Sequence, residues 1–512
     1  MNFEQKTDRV SSFDVRSGCT ILMVLAAGIM LGRIFAVDSV DVYQLERQRL
    51  NEIPRRLEER RAELQQRGVS PEKIERELER VERALREAAV LRRPFLSAND
   101  RSRWCTVRAL VEPDMRVPGA PYAIDRVIQE RLWDTIDMVK HNGHLYSSKP
   151  PLFATLVAAE YWVLYHGFGL TLADYPYQVA WIVLITFNWL PMLIYFWSIQ
   201  RLVERITSNP WVQLFVTGSA CFATFVTTFV NTLNNHLPGA VCAAVAVELA
   251  ARIIADGQRR WWLFALLGLV MALGVTFELP SLILWLLLLV IIARFVFKPV
   301  LLWYLVGSAV VFAAFFYTNW LAHGTISPPY AHRSGGPGEN WYDYEYEVRG
   351  RKIDSYWRNP VGIDKGEALA WVYAFHVLVG HHGIFSLTPL WLLTIAGCWW
   401  GLRSSRGPEQ KLILLAIVLA SVICVAFYIL RPQPDRSYGG MTCCFRWVLW
   451  LAPLWLYGMV PALERLASTR LGRALALLLA AASAMSAAYP TWNPWTHPWL
   501  YQWLESAGWI SY

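Results

Sequence analysis

The segment from Gly143 to Pro151 carries the most distinctive chemistry in this chain. It reads Gly-His-Leu-Tyr-Ser-Ser-Lys-Pro-Pro and is followed at once by an apolar stretch. The two prolines restrict the backbone around them, so Lys149 is held in a defined direction. We expect its ammonium group at the edge of a membrane, where it can bind the phosphate of a lipid-linked substrate. A lysine that only extends to the interface is the alternative. His144 and Tyr146 either assist or pack beside the headgroups.

Asp100 is the candidate general base. It lies in the sequence Asn-Asp-Arg-Ser-Arg-Trp, and a carboxylate near the outer membrane face can take a proton from an acceptor hydroxyl. The alternative is that Asn99 or Asp100 only caps a helix. Arg103 in the same motif could pair with a phosphate or with the many glutamates nearby.

Four further polar residues fall at the ends of apolar runs. Asn235 and His236 could position an acceptor or a cation. Glu278 is a functional candidate because it is ionisable and close to membrane depth, and an acid that favours a helix dipole is the alternative. Arg446 follows a pair of glycines and could bind a phosphate or anchor its helix at the interface.

The histidines do not form a regular metal-binding pattern. His381 and His382 are adjacent, so their side chains point apart on any regular element, and with His376 they match no standard helical pair. A divalent cation shared with a phosphate, held by Asp100 or Glu278, is left open. The sequence therefore leaves the metal requirement unknown, and no cofactor is certain.

Membrane helices must position these residues. The chain has 512 residues, of which 55% are hydrophobic and only 17% are charged, against about 25% in a soluble domain. Apolar runs of about 17 to 22 residues separate the charged stretches, and runs of that length span a bilayer. The net charge is +8, but Lys and Arg do not cluster, so a cytoplasmic loop bias explains it better than a nucleic-acid partner. The sequence predicts an all-α polytopic membrane protein.

The alternation of basic and weakly charged loops predicts eleven spans, with the N-terminus in the cytoplasm. The segment from Pro151 to Leu170 is apolar enough to cross but would break the alternation, so we expect it in the outer leaflet. A full crossing with a further turn elsewhere, giving twelve or thirteen spans, is the alternative. The predicted spans are 18–36, 178–198, 211–231, 237–255, 260–276, 279–297, 299–320, 384–402, 411–430, 446–463 and 473–489.

The segments between the spans divide between the two sides of the membrane. Residues 1–17 are the expected cytoplasmic N-terminus, and residues 37–177 are a large outer loop. The helix bundle occupies residues 178–489 and includes a second outer loop at 321–383. A Trp-rich tail at 490–512 is expected outside.

Residues 43–93 have a different character, because Arg and Glu alternate there around a narrow apolar seam. Gly68 suits the end of one helix, and Ser70 and Pro71 suit the start of the next. We expect two antiparallel helices that pack along the seam. A solvated helical insertion is the simpler interpretation, and a docking element for a partner is the alternative.

The chain has eight cysteines and no Cys-x-x-Cys pair. Five of them lie inside apolar runs, as small core residues do. Cys105, Cys443 and Cys444 are expected outside, so a disulfide from Cys105 to one of the vicinal pair is left open.

The order of these motifs resembles the GT-C superfamily of membrane glycosyltransferases. One long span is followed by an outer loop with an early Asp and then by Gly-His-x-Tyr-Ser-x-Lys-Pro-Pro. Within that superfamily the chain looks like the branch of dolichyl-phosphate-mannose-protein mannosyltransferases and aminoarabinose transferases, above all its bacterial members. The resemblance covers about residues 15–37 and 94–490 and includes the shorter segments 234–236, 278–280, 383–389 and 438–440.

The resemblance implies a GT-C-like helix bundle that uses a polyprenyl-phosphate-linked sugar as donor. Asp100 matches the acidic residue that serves as base, and Lys149 matches a phosphate-binding lysine. Many relatives carry a second acid after the first, whereas Arg101 stands there in this chain. The hairpin at 43–93 is not a usual part of the family.

The sequence therefore predicts a glycosyltransferase that moves a sugar to a lipid, glycan or protein acceptor at the extracytoplasmic membrane face. Asp100 would act as base, with Lys149, Arg103 and Arg446 on the donor phosphate. The resemblance implies a bacterial inner membrane. A transporter or lipid flippase is the alternative, although the chain has almost no charge at mid-span and no clear internal repeat. A non-enzymatic scaffold that docks through the hairpin is a third interpretation.

Overall fold

A computed structural model describes residues 4–37, 41–89, 95–130, 133–254, 256–295, 298–333 and 339–512. Several predicted segments have ends or interior residues that lie outside the described residues. These are 1–3, 38–40, 90–94, 131–132, 255, 296–297 and 334–338. The described helices are α1 Glu4–Phe35, α2 Asp41–Gln66, α3 Pro71–Ala89, α4 Ala98–Val111, α5 Pro151–Phe168, α6 Pro176–Leu184, α7 Leu190–Ile206, α8 Pro210–Phe222, α9 His236–Ile254, α10 Trp261–Phe277, α11 Leu282–Phe295, α12 Lys298–His323, α13 Ala370–Leu378, α14 Ile384–Leu387, α15 Leu392–Arg403, α16 Pro408–Ile429, α17 Ala452–Gly458, α18 Val460–Leu466, α19 Arg470–Ala488 and α20 Trp499–Ser506. Two antiparallel hairpins complete the fold, and their strands are β1 Met138–His141, β2 His144–Ser147, β3 Glu345–Val348 and β4 Arg351–Asp354.

Seven of the described helical segments are long and apolar enough to cross a membrane. An eighth is the pair Arg446–Gly458 and Val460–Leu466, which is bent by 42°. Two shorter apolar helices follow one another at Trp261–Phe277 and Leu279–Phe295. These helices confirm an all-α polytopic membrane protein, whereas the number of crossings and their direction stay predictions. The seven segments are Val15–Phe35, Pro176–Ile206, Pro210–Asn231, His236–Ile254, Leu301–His323, Pro408–Ile429 and Arg470–Ala488.

Besides the bent pair at Arg446–Leu466, two further predicted spans are interrupted. The span expected at 384–402 breaks after α14, because Pro389 has no N–H and disfavours a helical conformation in the residue before it. The span expected at 211–231 is α-helical only as far as Phe222 and ends in a 3₁₀ turn at Thr227–Asn231. The segment from Pro151 forms the continuous helix α5, which is not one of the seven.

Helix α9 is the centre of the bundle. Seventeen of its nineteen residues are buried, and it packs against α7, α10, α11 and α17. Small residues allow such close helix contacts. The clearest example joins α10 and α12, where a Cβ on Gly268 would lie 1.9 Å from the carbonyl oxygen of Tyr304. The first residue of α9 is His236, so the central helix begins at the polar end of the bundle.

The charged segment forms the predicted helical hairpin from α2 and α3. Gly68 has φ +68° at the turn, the left-handed conformation expected after a helix. The buried seam consists of Leu64, Ile74 and Leu78. Leu50, at the start of the expected seam, is instead an exposed large apolar residue.

Helix α4 and the β1–β2 hairpin form the outer layer, which carries four candidate site residues, Asp100, Arg103, His144 and Tyr146. Ser97 caps α4, since its Oγ accepts a hydrogen bond of 3.0 Å from the backbone N–H of Asp100. The cap is therefore neither Asn99 nor Asp100. The hairpin turns through Asn142 and Gly143, both with positive φ, as a two-residue Asn-Gly turn requires.

The eight cysteines are all free and buried. Cys105 lies inside the outer layer, where its Sγ donates to the backbone carbonyl of Trp133 at 3.4 Å. The disulfide to Cys443 or Cys444 that the sequence left open is not formed.

Candidate functional site

A cleft of about 470 Å³ opens at the polar end of the bundle, between α4, the start of α5, the start of α9 and the segment around Arg446. It is lined by six of the nine residues that the sequence singled out. Asp100, His144 and Tyr146 are not part of its lining. The six lining residues are Arg103, Lys149, Asn235, His236, Glu278 and Arg446.

Lys149 reaches the cleft from the end of the β1–β2 hairpin and is paired with Asp137. Its Nζ lies 2.8 Å from an oxygen of Asp137. The same carboxylate accepts from the side-chain amide of Asn99 at 2.8 Å and from the Ser148 hydroxyl. Burial lowers the pKa of Lys149 to about 8, although Asp137 opposes that shift. Burial alone would raise the pKa of Asp137, but Lys149 and Ser148 hold it below its usual range.

A chain of hydrogen bonds joins two of the four arginines of the cleft, Arg103 and Arg446. Arg103 Nη2 donates to Asn235 Oδ1 at 2.6 Å, and Asn235 Nδ2 donates to Glu278 Oε1 at 2.8 Å. Glu278 Oε1 also bonds to His236 Nδ1. At the far end Arg446 Nη1 lies 3.2 Å from His236 Nε2. Arginine can only donate, so Nε2 accepts and the ring proton lies on Nδ1, facing Glu278.

Arg446 is also fixed by the backbone turn that precedes it. Its Nε and Nη2 donate to the carbonyl oxygen of Gly439, at 3.1 and 2.7 Å. Gly439 and Gly440 have φ of +95° and +76°, which glycine adopts without the strain of a side chain. The guanidinium stacks over Trp495 at 4.6 Å from the ring centroid. The cation is therefore held by uncharged groups, and its charge is not cancelled by a directly bonded acid.

Asp100 lies behind the cleft wall. Its Oδ1 accepts hydrogen bonds from Trp104 Nε1 at 2.9 Å and from the backbone N–H of Leu233 at 3.1 Å. The residue is only 2% exposed, and burial raises its pKa to about 7. In this position Asp100 ties α4 to the segment before α9, and its role as base stays a prediction.

His144 and Tyr146 also lie away from the cleft. His144 Nδ1 is 3.4 Å from an oxygen of Asp125, near the surface. Tyr146 is buried with Tyr122 and Trp341 in a small separate core. The role of this pair stays a prediction.

The cleft lining also contains two acids that the sequence did not single out, Asp364 and Asp435. Asp435 lies 2.7 Å from Arg431 and 3.5 Å from Arg333. Asp364 accepts a hydrogen bond of 2.9 Å from the Tyr356 hydroxyl. Asp364 and Tyr356 come from the second predicted outer loop, whose sequence offered no motif. For Asp137 a signal existed, because it directly precedes the strand that pairs with the one leading to Lys149.

Part of the cleft wall is apolar. It contains large side chains from α5, from the α10–α11 connection and from the end of α16, so the cations border a surface that suits hydrocarbon. These residues are Leu152, Phe153, Phe277, Leu279 and Phe427.

The described residues contain no group of three or more His, Cys, Asp or Glu side chains that could hold a metal ion. His381 and His382 instead pack with Tyr438 and Tyr512, and the Tyr512 hydroxyl bonds to His381 Nε2 at 2.8 Å. The cation left open by the sequence thus has no preformed ligand cluster within this part of the chain.

No family model matches the chain, and no curated protein sequence matches it. Solved structures with a similar course of the chain include the oligosaccharyltransferase of Archaeoglobus fulgidus. Its apo form has a TM-score of 0.48 at 12% identity, covering 96% of this chain and 57% of that one. Its complex with Zn and sulfate gives 0.42 at 12% identity, covering 81% and 55%. The form tethered to an acceptor peptide containing the NVT sequon gives 0.41 at 13% identity, covering 80% and 56%.

The chain thus spans a little over half of the length of these oligosaccharyltransferase structures. At such identities and TM-scores the likeness assigns no activity, substrate or partner to this chain. What the cleft does must be argued from its own residues.

Proposed function

We propose that this protein is a membrane glycosyltransferase of the GT-C type, which transfers a sugar from a polyprenyl-phosphate-linked donor to an acceptor. The observation that carries the proposal is the convergence of Arg103, Lys149 and Arg446 on one cleft at the end of apolar helices. They come from three distant parts of the chain, and each is directed by its own set of partners.

The partners of the cations leave them able to bind a phosphate. Arg103 and Arg446 are bonded mainly to amide, imidazole and carbonyl groups, so their charges stay available to a ligand. Lys149 shares Asp137, and its pKa of about 8 still leaves it charged at neutral pH. Preorganised cations in a site shielded from water are effective partners for a phosphate group.

The apolar wall fits the lipid part of such a donor. Leu152 and Phe153 stand next to Lys149 on α5, and Phe277 and Phe427 face the same cleft. A free nucleotide-sugar would gain little from this surface, whereas an isoprenoid chain buries apolar area, worth about 25 cal/mol per Å². The combination favours an amphiphilic donor that enters from the membrane.

In the proposed reaction the acceptor oxygen attacks the anomeric carbon, and polyprenyl phosphate leaves. Negative charge develops on the departing phosphate, where Lys149, Arg103 and Arg446 stabilise it. Asn235 and His236 act through the arginines that they contact, and Glu278 acts by holding Asn235 and His236. The acceptor is a lipid, glycan or protein, and the site faces the outer side of a bacterial inner membrane.

Binding of polyprenyl phosphate to the protein in nanodiscs, read by native mass spectrometry, tests the proposal. We expect specific binding by the wild type, weakened at least about tenfold in Lys149→Ala, which corresponds to about 1.4 kcal/mol. Lys140→Ala is the matched control, because Lys140 lies on the same hairpin but bonds to the carbonyl of Glu345 outside the cleft. No preference of the wild type for polyprenyl phosphate over bulk anionic lipid contradicts the proposal.

The same preparation separates the rival functions. A lipid flippase would bind the phosphate but move the intact donor across a bilayer without releasing polyprenyl phosphate from it. A scaffold would lose its function when residues 43–93 are deleted and keep it in variants of the cleft.

A further inference from the structure

The carboxylates of the cleft differ in what holds them. Asp137 is paired with Lys149, and Asp435 with Arg431. Glu278 accepts from Asn235 and bonds to His236. Asp364 has one hydrogen bond from a side chain, in which the Tyr356 hydroxyl donates to its Oδ2 at 2.9 Å. No ion pair to Asp364 occurs within the ranges that the structure describes.

Asp364 lines the cleft beside the Tyr438-Gly439-Gly440 turn. A Cβ placed on Gly440 would lie 3.2 Å from Asp364 Oδ1, so the carboxylate rests close to that backbone. The neighbouring Gly439 holds the Arg446 guanidinium through its carbonyl oxygen. Asp364 and Arg446 therefore approach the same turn and line the same cleft, and no ion pair between them is formed.

We propose that Asp364 is the general base that activates the acceptor hydroxyl, an assignment that rests on the proposed function. Its Oδ1 takes the proton from the acceptor oxygen while a lone pair of that oxygen forms the bond to the anomeric carbon. The bond from that carbon to the phosphate oxygen breaks, and its electron pair leaves with polyprenyl phosphate. Asp364 later gives the proton to water, so the carboxylate is restored.

Two properties of the surroundings suit this role. Burial raises the pKa of Asp364, although the Tyr356 hydroxyl and the nearby Arg333 oppose that shift. A carboxylate with a raised pKa is the stronger proton acceptor. Tyr356 is a positioning residue, because its hydroxyl fixes Oδ2 and leaves Oδ1 for the acceptor.

Asp100 offers the contrasting case. Its Oδ1 already accepts two hydrogen bonds from the protein, and the residue does not line the cleft. Asp100 therefore lies outside the surface that an acceptor in the cleft would contact. The two assignments therefore make opposite predictions for the same pair of variants.

The test is release of polyprenyl phosphate, measured by mass spectrometry, from synthetic polyprenyl-phosphate hexoses and pentoses. Each purified variant is added to membranes of source cells that lack the gene, which supply the acceptor. We expect Asp364→Asn to slow release at least about 100-fold, the usual contribution of a general base. Binding of polyprenyl phosphate in nanodiscs should stay within about twofold of wild type, which shows that the variant is folded. Asp354→Asn is the control, because Asp354 lies in the same loop and pairs at the surface with Arg358.

The pH dependence of release distinguishes a base from a structural residue. The Tyr356 hydroxyl stabilises the charged form of Asp364, so Tyr356→Phe should raise the pKa of the base and move the acid limb of the pH–rate profile upward. Turnover by Asp364→Asn within threefold of wild type would overturn the assignment, above all if Asp100→Asn is inactive. If the wild type binds polyprenyl phosphate but releases none from any donor, the proposed function fails and the assignment fails with it.

Discussion

The hairpin of α2 and α3 and the cleft both contain pairs of acidic and basic side chains, but the pairs differ in their exposure to solvent. In the hairpin Arg86 lies 2.8 Å from Glu82, with 64% and 39% of the two side chains exposed. In the cleft wall Lys149 lies at the same distance from Asp137, with 26% and 10% exposed. The two pairs have the same length but very different exposure, so the contrast bears on what burial does to a charge.

Exposed charges in the hairpin are solvated and paired along each helix, and they contribute little individually. The cleft cations have lost most of their water, and neutral groups hold Arg103 and Arg446 in place. An anion that enters the cleft therefore meets charges that are already oriented. This difference explains why one Arg-rich region is expected to bind a ligand and the other is not.

The largest expected effect concerns Arg108, the most buried arginine of the outer layer. Its guanidinium is 1% exposed, bonds to Glu112 and Glu130, and lies 4.4 Å from the Trp133 ring centroid. Arg108→Leu leaves two carboxylates without their cation, so we expect a loss of about 3–5 kcal/mol in the free energy of unfolding. Titration with SDS from mild detergent measures it.

The matched control for Arg108 lies in the hairpin. Arg86→Leu removes an exposed pair and should change the free energy of unfolding by less than about 0.5 kcal/mol. Equal losses in Arg108→Leu and Arg86→Leu would show that burial is not the deciding factor.

The next prediction tests whether the guanidinium geometry of Arg446 matters beyond its positive charge. Arg446 donates from three nitrogens, to Gly439 and to His236, and lysine cannot reproduce that fork. We expect Arg446→Lys to weaken polyprenyl phosphate binding in nanodiscs about tenfold, or about 1.4 kcal/mol. The same exchange at Arg86 in the hairpin should have no measurable effect. Unchanged affinity in Arg446→Lys would mean that only the charge matters.

The sequence predicted the elements of this comparison better than their arrangement. Hydrophobic runs of sufficient length identified the membrane helices, and the Gly68-Val69-Ser70-Pro71 turn identified the hairpin, because both signals are local. The β1–β2 hairpin was missed although Asn142-Gly143 is a strong turn signal. The break at Pro389 was also missed, although proline is a local signal that ends a helix.

The site was predictable only in part. Lys149 and Arg103 were singled out from their local motifs, and Glu278 and Arg446 from their places at the ends of apolar runs, and all four line the cleft. Asp364 was not singled out. A carboxylate in a polar loop becomes distinctive only when the fold places it in one cleft with cations that are distant along the chain. Here those cations are Arg446, more than 80 residues later, and Lys149, which comes earlier. Which carboxylates are already paired depends on tertiary contacts that no local pattern contains.

A smaller effect follows from the acidity of Lys149. The pKa of Lys149 is about 8, so in the free protein its ammonium is charged below that pH and loses its charge above it. Bound phosphate keeps it protonated, so binding takes up a proton and affinity should fall about five- to tenfold between pH 7 and pH 9. Lys149→Arg stays charged throughout, so its affinity should be nearly flat over this range. Equal pH dependence in the two proteins would contradict the assignment of this shift to Lys149.

The smallest expected effect lies in the hairpin itself. Arg61 and Glu75 join α2 to α3 at 2.9 Å, but 51% and 64% of the side chains are exposed. A double-mutant cycle with Arg61→Ala and Glu75→Ala should give a coupling energy of about 0.2–1 kcal/mol, and added salt should reduce it because the pair is open to screening. Salt should affect the buried Arg108 pair far less. A coupling energy in the hairpin as large as the loss in Arg108→Leu would contradict this expectation. It would mean that the seam of Leu64, Ile74 and Leu78 excludes water from these charges. The hairpin would then be a buried interface in the working protein.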